Sequence, residues 1–322
     1  MEQRMLGSLW PVSSLTLGGG GLGRVWGTTS REEAVATLRD AADSGITLID
    51  VAPGYGDGEA EEAVGEAFAG SLPSGVRVST KHHVGQAEPG DVEAEMAKGL
   101  EASLRRLRLD FVDILILHSQ ILPGHDPERR SWTTTIQLFE EVTRPALQSL
   151  VDEGRIGAWG ITAVQYPDLL EKVMAADPAP GAAQVIANVL DAPGDMQWTG
   201  DWAPPRRLIS RSAELGIGVM GIRAVQAGAL TDGLDRDVDP DHPAATDYER
   251  AAPFRDLAAE LEVSPAALAH RYALSIEGVD TVVLGVKNRA ELRECVNAAE
   301  AGPLPGDVRA LVDEWMAPLR TA

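Results

Sequence analysis

The chain contains very little cysteine: Cys295 is the only one among its 322 residues. A single cysteine excludes an intrachain disulfide and leaves no cysteine cluster that could hold zinc. We therefore expect a reducing, cytoplasmic setting. The first ten residues lack an apolar signal core, and no apolar run approaches the roughly 20 residues that a membrane span needs. These absences predict a soluble protein that is not exported.

Positive charge is also scarce, because 28 Lys and Arg residues stand against 49 Asp and Glu residues, for a formal net charge of -21. Such a surface repels phosphate backbones and anionic lipids, which makes nucleic acids and membrane surfaces poor partners. The composition, 44% hydrophobic and 24% charged, is that of a globular protein with a sizeable core. A small-molecule ligand is the better expectation.

Eight short β-branched or apolar runs recur along the chain, separated by amphipathic helical patterns. They are 14–19, 47–51, 76–81, 111–118, 156–162, 182–188, 216–222 and 280–286. Strand and helix alternate eightfold without a change in composition, which favours a closed parallel barrel of about 250 core residues over an open sheet. We predict an α/β fold, a (β/α)8 TIM barrel that forms a single domain over residues 1–322. Its site should lie at the carboxyl ends of the strands.

The helical patterns carry their own boundary signals. In the stretch 30–45, Ser30 is suited to cap the start of a helix and Gly45 to end it. The stretch 59–68 carries several glutamates, which we interpret as a solvated helix face; they are Glu59, Glu61, Glu62 and Glu66.

Three long connections follow predicted strands four, six and seven, over residues 119–137, 189–204 and 223–249. Strand-to-helix loops build the catalytic face of such barrels. Two of these loops hold tryptophans that would either wall an organic substrate or cover the rim of the barrel: Trp132, Trp198 and Trp202. The Asp/Pro-rich stretch 235–247 is interpreted as a mobile loop.

The stretch LTLGGGGLGR contains Gly18, Gly20 and Gly23 at the G-x-G-x-x-G spacing of a dinucleotide-binding turn. Such a turn requires a helix that begins at once and an acidic residue about 20 positions further on. The next predicted helix begins only near Ser30, and the first strand-end carboxylate, Asp50, lies 32 positions after Gly18. The glycines are better explained as a place where backbone and ligand approach closely.

Four polar residues lie at or just beyond the ends of predicted strands two, three and four: Asp50, Tyr55, Lys81 and His118. A tyrosine with a reference pKa of about 10 becomes a better acid beside an ammonium. A buried Lys81 would supply that charge and would need Asp50 as its counter-charge. His118 would orient a carbonyl oxygen or share in the proton path. This set is suited to proton transfer to or from an oxygen.

Six blocks in sequence order resemble the signatures of the aldo-keto reductases, and the resemblance spans nearly the whole chain. They are LIDVAPGYGDGEAEEAVGEAF, STK, LILHSQ, WGIT, AAQVIAN and VLGVKNRAELRE. The resemblance implies a (β/α)8 barrel that uses NADPH, or in some members NADH, to reduce an aldehyde or ketone or to run the reverse oxidation. It implies that Tyr55 is the general acid, tuned by Lys81 and Asp50, and that His118 positions the carbonyl.

The resemblance also implies cofactor-binding positions. They are Thr162, Gln184, Ile222, Arg223, Ala224, Val225, Ala227, Gly285, Lys287, Glu291, Glu294 and Cys295. Ala163 stands where the family has an asparagine, and Arg223 where it has a serine, so we expect Arg223 to form a charge-assisted fork on the pyrophosphate. Lys287 would meet the 2′-phosphate of NADP, whereas Glu291 is better suited to the ribose hydroxyls of NAD. NADP is the predicted cofactor, with NAD as the second option.

Other interpretations are open at this point. The adjacent His82 and His83 are suited to metal binding only if they share an ion, and neighbouring strand residues point to opposite faces, so no metal is predicted. Cys295 is expected to be a packed thiol. The alternative function is an NADP-binding regulatory subunit with little turnover. A barrel isomerase or aldolase would need Lys81 as a neutral Schiff-base amine, which Asp50 opposes.

Overall fold

Eight parallel strands close into a barrel, and each overlaps one of the eight runs predicted from the sequence. The computed structural model describes residues 1–85, 87–198 and 205–320. The barrel strands are β3 (Leu15–Gly18), β4 (Leu48–Asp50), β5 (Arg77–His82), β6 (Val112–Leu117), β9 (Ile156–Ala163), β10 (Ala182–Ile186), β11 (Gly218–Ile222) and β12 (Thr281–Leu284). They follow one another around the barrel in chain order, and β12 pairs with β3 to close it. The predicted (β/α)8 fold is confirmed.

Two small sheets lie outside the barrel, and the sequence pattern did not indicate them. Strands β1 (Gln3–Met5) and β2 (Pro11–Ser13) form an antiparallel hairpin, and β7 (Gln120–Leu122) pairs with β8 (Thr133–Thr135) in the loop after β6. The hairpin segment brings Leu6 and Val12 into the same buried apolar cluster as Leu48 and Met220. It therefore closes the barrel at the end opposite the site.

The two-residue period of the strands decides which side chains enter the barrel. Leu48 and Ile116 belong to the apolar cluster that fills the interior. Asp50 lies two residues beyond Leu48 on β4, and Lys81 on β5 pairs in register with Ile116 on β6. This alternation directs both charged side chains to the carboxyl end of the barrel interior.

Helices surround the barrel and extend beyond it. They are α1 (Gly19–Leu22), α2 (Arg31–Asp43), α3 (Glu59–Phe68), α4 (Val92–Leu107), α5 (Ile136–Leu138), α6 (Arg144–Asp152), α7 (Pro167–Ala175), α8 (Pro205–Glu214), α9 (Pro243–Arg250), α10 (Ala252–Glu260), α11 (Pro265–Leu274), α12 (Arg289–Glu300) and α13 (Gly306–Arg320). A π-helical segment, Phe139–Thr143, joins α5 to α6. Ser30 caps α2 as predicted, its hydroxyl accepting from the Glu33 N–H.

Three details of the sequence interpretation were wrong. A one-turn helix, α1, begins directly after β3, whereas the first helix was expected near Ser30. The last five residues of the stretch expected to be a mobile loop, 235–247, are helical, because α9 begins at Pro243 with the His242 ring capping its start. Glu61 does not belong to a solvated face: it is fully buried, accepts from the Thr80 hydroxyl at 2.5 Å and pairs with Arg106 at 2.6 Å.

Candidate active site

A buried ion pair lies at the carboxyl end of β4 and β5. Lys81 Nζ donates to Asp50 Oδ2 at 2.6 Å and to the Val51 carbonyl at 2.9 Å, while Ser79 Oγ donates to Asp50 Oδ1 at 2.7 Å. Burial alone would lower the pKa of Lys81, but the charge of Asp50 and the nearby phenol of Tyr55 raise it. Lys81 therefore remains protonated, as an isolated buried ammonium would not.

Tyr55 sits directly above this pair in the turn that follows β4. The Lys81 Nζ atom is 4.7 Å from the centroid of the Tyr55 ring. A Cβ added at Gly23 would come within 2.6 Å of the Tyr55 carbonyl carbon and oxygen, so this glycine lets the β3 and β4 loops meet and fix the tyrosine. Burial raises the pKa of Tyr55, and the Lys81 charge opposes but does not cancel that effect. The pKa is therefore raised, whereas the sequence predicted that Lys81 would lower it.

His118 follows β6 and faces the same space. Its ring meets the Tyr55 ring edge-on at 6.1 Å between centroids and stacks on His83 at 4.4 Å. Burial, the Lys81 charge and His83 all lower the pKa of His118 well below its usual value, so the ring is neutral. Its Nδ1 atom is buried and has no hydrogen-bond partner among the described residues. A neutral imidazole in this place can donate one hydrogen bond to an oxygen.

The neighbouring histidines diverge as the strand period predicted. The His82 ring lies within 2.5 Å of where a Cβ on Gly99 of α4 would stand, on the outside of the barrel. His83 instead packs between His118 and Trp132, whose ring it meets at 4.4 Å. Within the described ranges, no three or more His, Cys, Asp or Glu side chains are grouped so as to hold a metal ion.

A cleft of about 940 Å³ opens over these residues. Three of the four predicted catalytic residues line it, and Lys81 lies beneath it, bonded to Asp50. The predicted cofactor positions that line it are Thr162, Gln184, Ile222, Arg223, Ala224, Val225, Ala227, Gly285, Lys287, Glu291, Glu294 and Cys295. The predicted residues that line the cleft come from six of the eight barrel strands or the segments that follow them, and they surround one continuous space.

Polar groups on the cleft wall fit a nicotinamide dinucleotide. The side-chain amide nitrogen of Gln184 is buried without a partner in the described part of the chain, although buried amide donors are normally satisfied. Thr162, in register with Gln184 on the adjacent strand, donates its hydroxyl to the Leu117 carbonyl at 3.2 Å. Its oxygen can still accept a bond. A carboxamide group matches this pair of acceptor and donor.

Arg223 occupies the loop after β11 in a left-handed conformation, with φ +60°. Its guanidinium pairs with Asp195 at 2.5 Å and donates from Nε to Gln226 Oε1 at 3.1 Å. The Gln226 side chain is itself fixed by Asn188 and Asp247. The arginine therefore joins the loop after β10 to the loop after β11 at the wall of the cleft.

Several cleft residues were missed by the sequence argument. Trp26 follows β3, and the Arg236 guanidinium lies 5.4 Å from its ring centroid, across the cleft. Asp235 reaches Lys287 at 2.6 Å between carboxylate and ammonium. Trp132 and Trp198 line the cleft, and Trp202 lies outside the described residues. Asp235 and Lys287 are 52 residues apart, and no sequence motif predicts their contact, which the fold of the loop after β11 produces.

The fold and this arrangement define a (β/α)8 barrel with a polar cleft at the carboxyl ends of its strands. The sequence model of the Aldo/keto reductase family matches residues 14–317, and the chain belongs to that family. Members of the family use NAD(P)H, and the relatives described next include a dehydrogenase and an aldo-keto reductase. Cys295 is buried, as expected of a packed thiol.

Three relatives illustrate the range of the family. L-galactose dehydrogenase of Arabidopsis thaliana is 30% identical over 303 residues, which cover 92% of this chain and 88% of that protein. A probable voltage-gated potassium channel subunit beta of the same plant is 26% identical over 94% of this chain and 93% of its own length. The structure of an aldo-keto reductase from Klebsiella pneumoniae in complex with NADPH superposes with a TM-score of 0.67 at 25% identity, covering 98% of this chain and 95% of that one.

Among the residues that the structure describes, no helix combines the length and the apolar composition required to cross a bilayer.

Proposed function

We propose that this protein is an NAD(P)H-dependent reductase of an aldehyde or ketone, able to run the reverse oxidation, with Tyr55 as general acid. The observation that carries the proposal is the buried Lys81–Asp50 pair directly beneath Tyr55 and beside the neutral ring of His118. Such a set has one chemical use that suits all its members: delivery of a proton to an oxygen.

Thr162, Gln184 and Arg223 would hold the dinucleotide, whose chemistry would be the supply of a hydride for the carbonyl carbon. The protein supplies the proton that the oxygen then needs, and the protonated phenol of Tyr55 is the donor. Burial raises the pKa of this phenol, so at neutral pH the donor is loaded. The Lys81 charge limits that rise and stabilises the phenolate left behind.

His118 would hold the carbonyl oxygen in place. Its neutral ring can donate a hydrogen bond without competing with Tyr55 as the acid. The phenol and the imidazole would then meet the carbonyl oxygen together, which polarises the bond to be attacked.

The other end of the cleft would hold the cofactor. Gln184 and Thr162 would bind the carboxamide, and the guanidinium of Arg223 would turn from Asp195 towards the pyrophosphate. The adenosine would lie along the start of α12. The substrate would bind against an aromatic and polar wall of the cleft formed by Trp132, Trp198 and Gln120. This wall suits a small carbonyl compound, including one that carries hydroxyl groups. With one buried cysteine, the protein is suited to the cytoplasm.

The test is to mix the protein with NADH or NADPH and an activated aromatic aldehyde, and to follow the absorbance band of the reduced nicotinamide. Loss of that band with protein, and not without it, supports the reductase. Dinucleotide binding without turnover of any of a panel of aldehydes, ketones and hydroxylated carbonyl compounds would instead favour the regulatory-subunit alternative, to which the channel-subunit relative lends weight.

A further inference from the structure

The ammonium of Lys287 is shared by two carboxylates at the adenosine end of the cleft. Its Nζ atom lies 2.6 Å from Asp235 Oδ2 and 2.8 Å from Glu291 Oε1. Glu291 Oε2 also accepts from the Lys287 backbone N–H at 2.8 Å, which fixes the carboxylate at the start of α12. Together the three side chains carry a net negative charge.

A second cation, Arg236, lies beside this group and brings the formal charge of the four side chains to zero. Arg236 lies 3.4 Å from Asp235 and donates to the Ala227 carbonyl, so it too is engaged with the loop after β11. Asp235 belongs to that same loop. On the other side, Gly27 lets the loop after β3 pack against the aliphatic part of Lys287, because a Cβ on Gly27 would lie only 3.0 Å from Lys287 Cδ. Both carboxylates line the cleft and are about one-third exposed, so a ligand can reach them.

The two forms of the cofactor differ at the adenosine ribose. A 2′-phosphate brings about two negative charges and accepts hydrogen bonds, whereas the free ribose diol is neutral and donates them. At Lys287 a phosphate would compete with two carboxylates for the ammonium and stand close to both, an unfavourable like-charge contact. A hydroxyl pair would instead donate to the carboxylates that are already held in position.

We propose that Asp235 and Glu291 make this site select NAD(H) over NADP(H). The inference rests on the proposed function, because it concerns the cofactor that the reductase would use. It departs from the expectation that Lys287 serves a 2′-phosphate, since that expectation considered the lysine without Asp235. Asp235 and Glu291 are the residues that determine the specificity, and Lys287 holds them together.

The experiment is calorimetric titration of the full-length protein with NAD⁺ and, separately, with NADP⁺. We expect wild type to bind NAD⁺ at least about tenfold more tightly, a difference of about 1.4 kcal/mol. Glu291→Gln and Asp235→Asn keep an acceptor oxygen but remove the charge, so each should shift the affinity ratio towards NADP⁺. The double variant should shift it furthest and allow Lys287 to bind the phosphate.

The control is Glu101→Gln, which removes one charge from an exposed glutamate on α4 that pairs with Arg155 away from the cleft. It should leave the ratio unchanged. Tighter binding of NADP⁺ by wild type, or a double variant with the wild-type ratio, would overturn the assignment while leaving the proposed reductase intact. Binding of neither dinucleotide would overturn both.

Discussion

Lys81 Nζ and Asp50 Oδ2 are 2.6 Å apart, and both side chains are almost fully withdrawn from solvent. The pair joins β5 to β4 under the only tyrosine that lines the described cleft. Neither charge is stable there alone, because burial of an ion without a partner is strongly unfavourable. The pair is therefore a structural element as well as an electrostatic one, and the two roles can be separated experimentally.

Asp50→Asn should destabilise the protein by about 3–5 kcal/mol, because it leaves Lys81 buried without a counter-charge. Denaturant unfolding midpoints measure the change. The double variant Asp50→Asn/Lys81→Met removes both charges and should lose less stability than the sum of its two single variants. Additive losses would mean that the pair contributes no coupling.

Lys81→Met should move the pH dependence of alcohol oxidation to higher pH. In that direction the phenolate of Tyr55 accepts the proton, so the rate rises as pH passes the tyrosine's pKa. Removing the ammonium raises that pKa further, because burial then acts without the opposing charge of Lys81. The profile of kcat/KM against pH measures the shift, with the exposed Lys98→Gln as control. A profile that stays in place, or moves to lower pH, contradicts the proposed role of Lys81.

Arg223→Ala should weaken dinucleotide binding by about tenfold or more, since a hydrogen bond to a charged group contributes about 1.5–3 kcal/mol. Titration of wild type and variant with the same dinucleotide measures the loss. Arg207→Ala is the matched control, because Arg207 makes its ion pairs with Asp168 and Glu171 on an exposed helix face. Unchanged affinity in Arg223→Ala would leave its guanidinium with a purely structural role towards Asp195.

The barrel and the clustering of the four polar residues could be predicted from the sequence because both depend on local periodicity. Strand residues alternate between the barrel interior and the helices, so Asp50 and Lys81 had to point inward at strand ends. The same two-residue alternation correctly predicted that the side chains of His82 and His83 point in opposite directions. Short-range signals such as the Ser30 cap were equally visible.

What the sequence did not reveal depends on contacts between distant segments. Glu61 looked like part of a polar helix face, yet it is buried because Thr80 and Arg106 satisfy it from β5 and α4. Asp235 stands in a stretch that resembles a solvated loop, and its partner Lys287 is 52 residues away. The pKa of Tyr55 likewise depends on burial in the folded cleft, which outweighs the lysine that the sequence places nearby.

The most direct test of the account replaces the phenol. Tyr55→Phe keeps the ring above Lys81 and removes only the proton donor, so reduction of an activated aromatic aldehyde with NADH or NADPH should fall by about 10²–10⁴-fold. Dinucleotide affinity should be retained. Tyr248→Phe, which removes a hydroxyl that donates to the Asp232 carbonyl, is the matched control and should reduce the aldehyde at the wild-type rate. Equal rates of nicotinamide oxidation in wild type and Tyr55→Phe would contradict the central claim that Tyr55 supplies the proton.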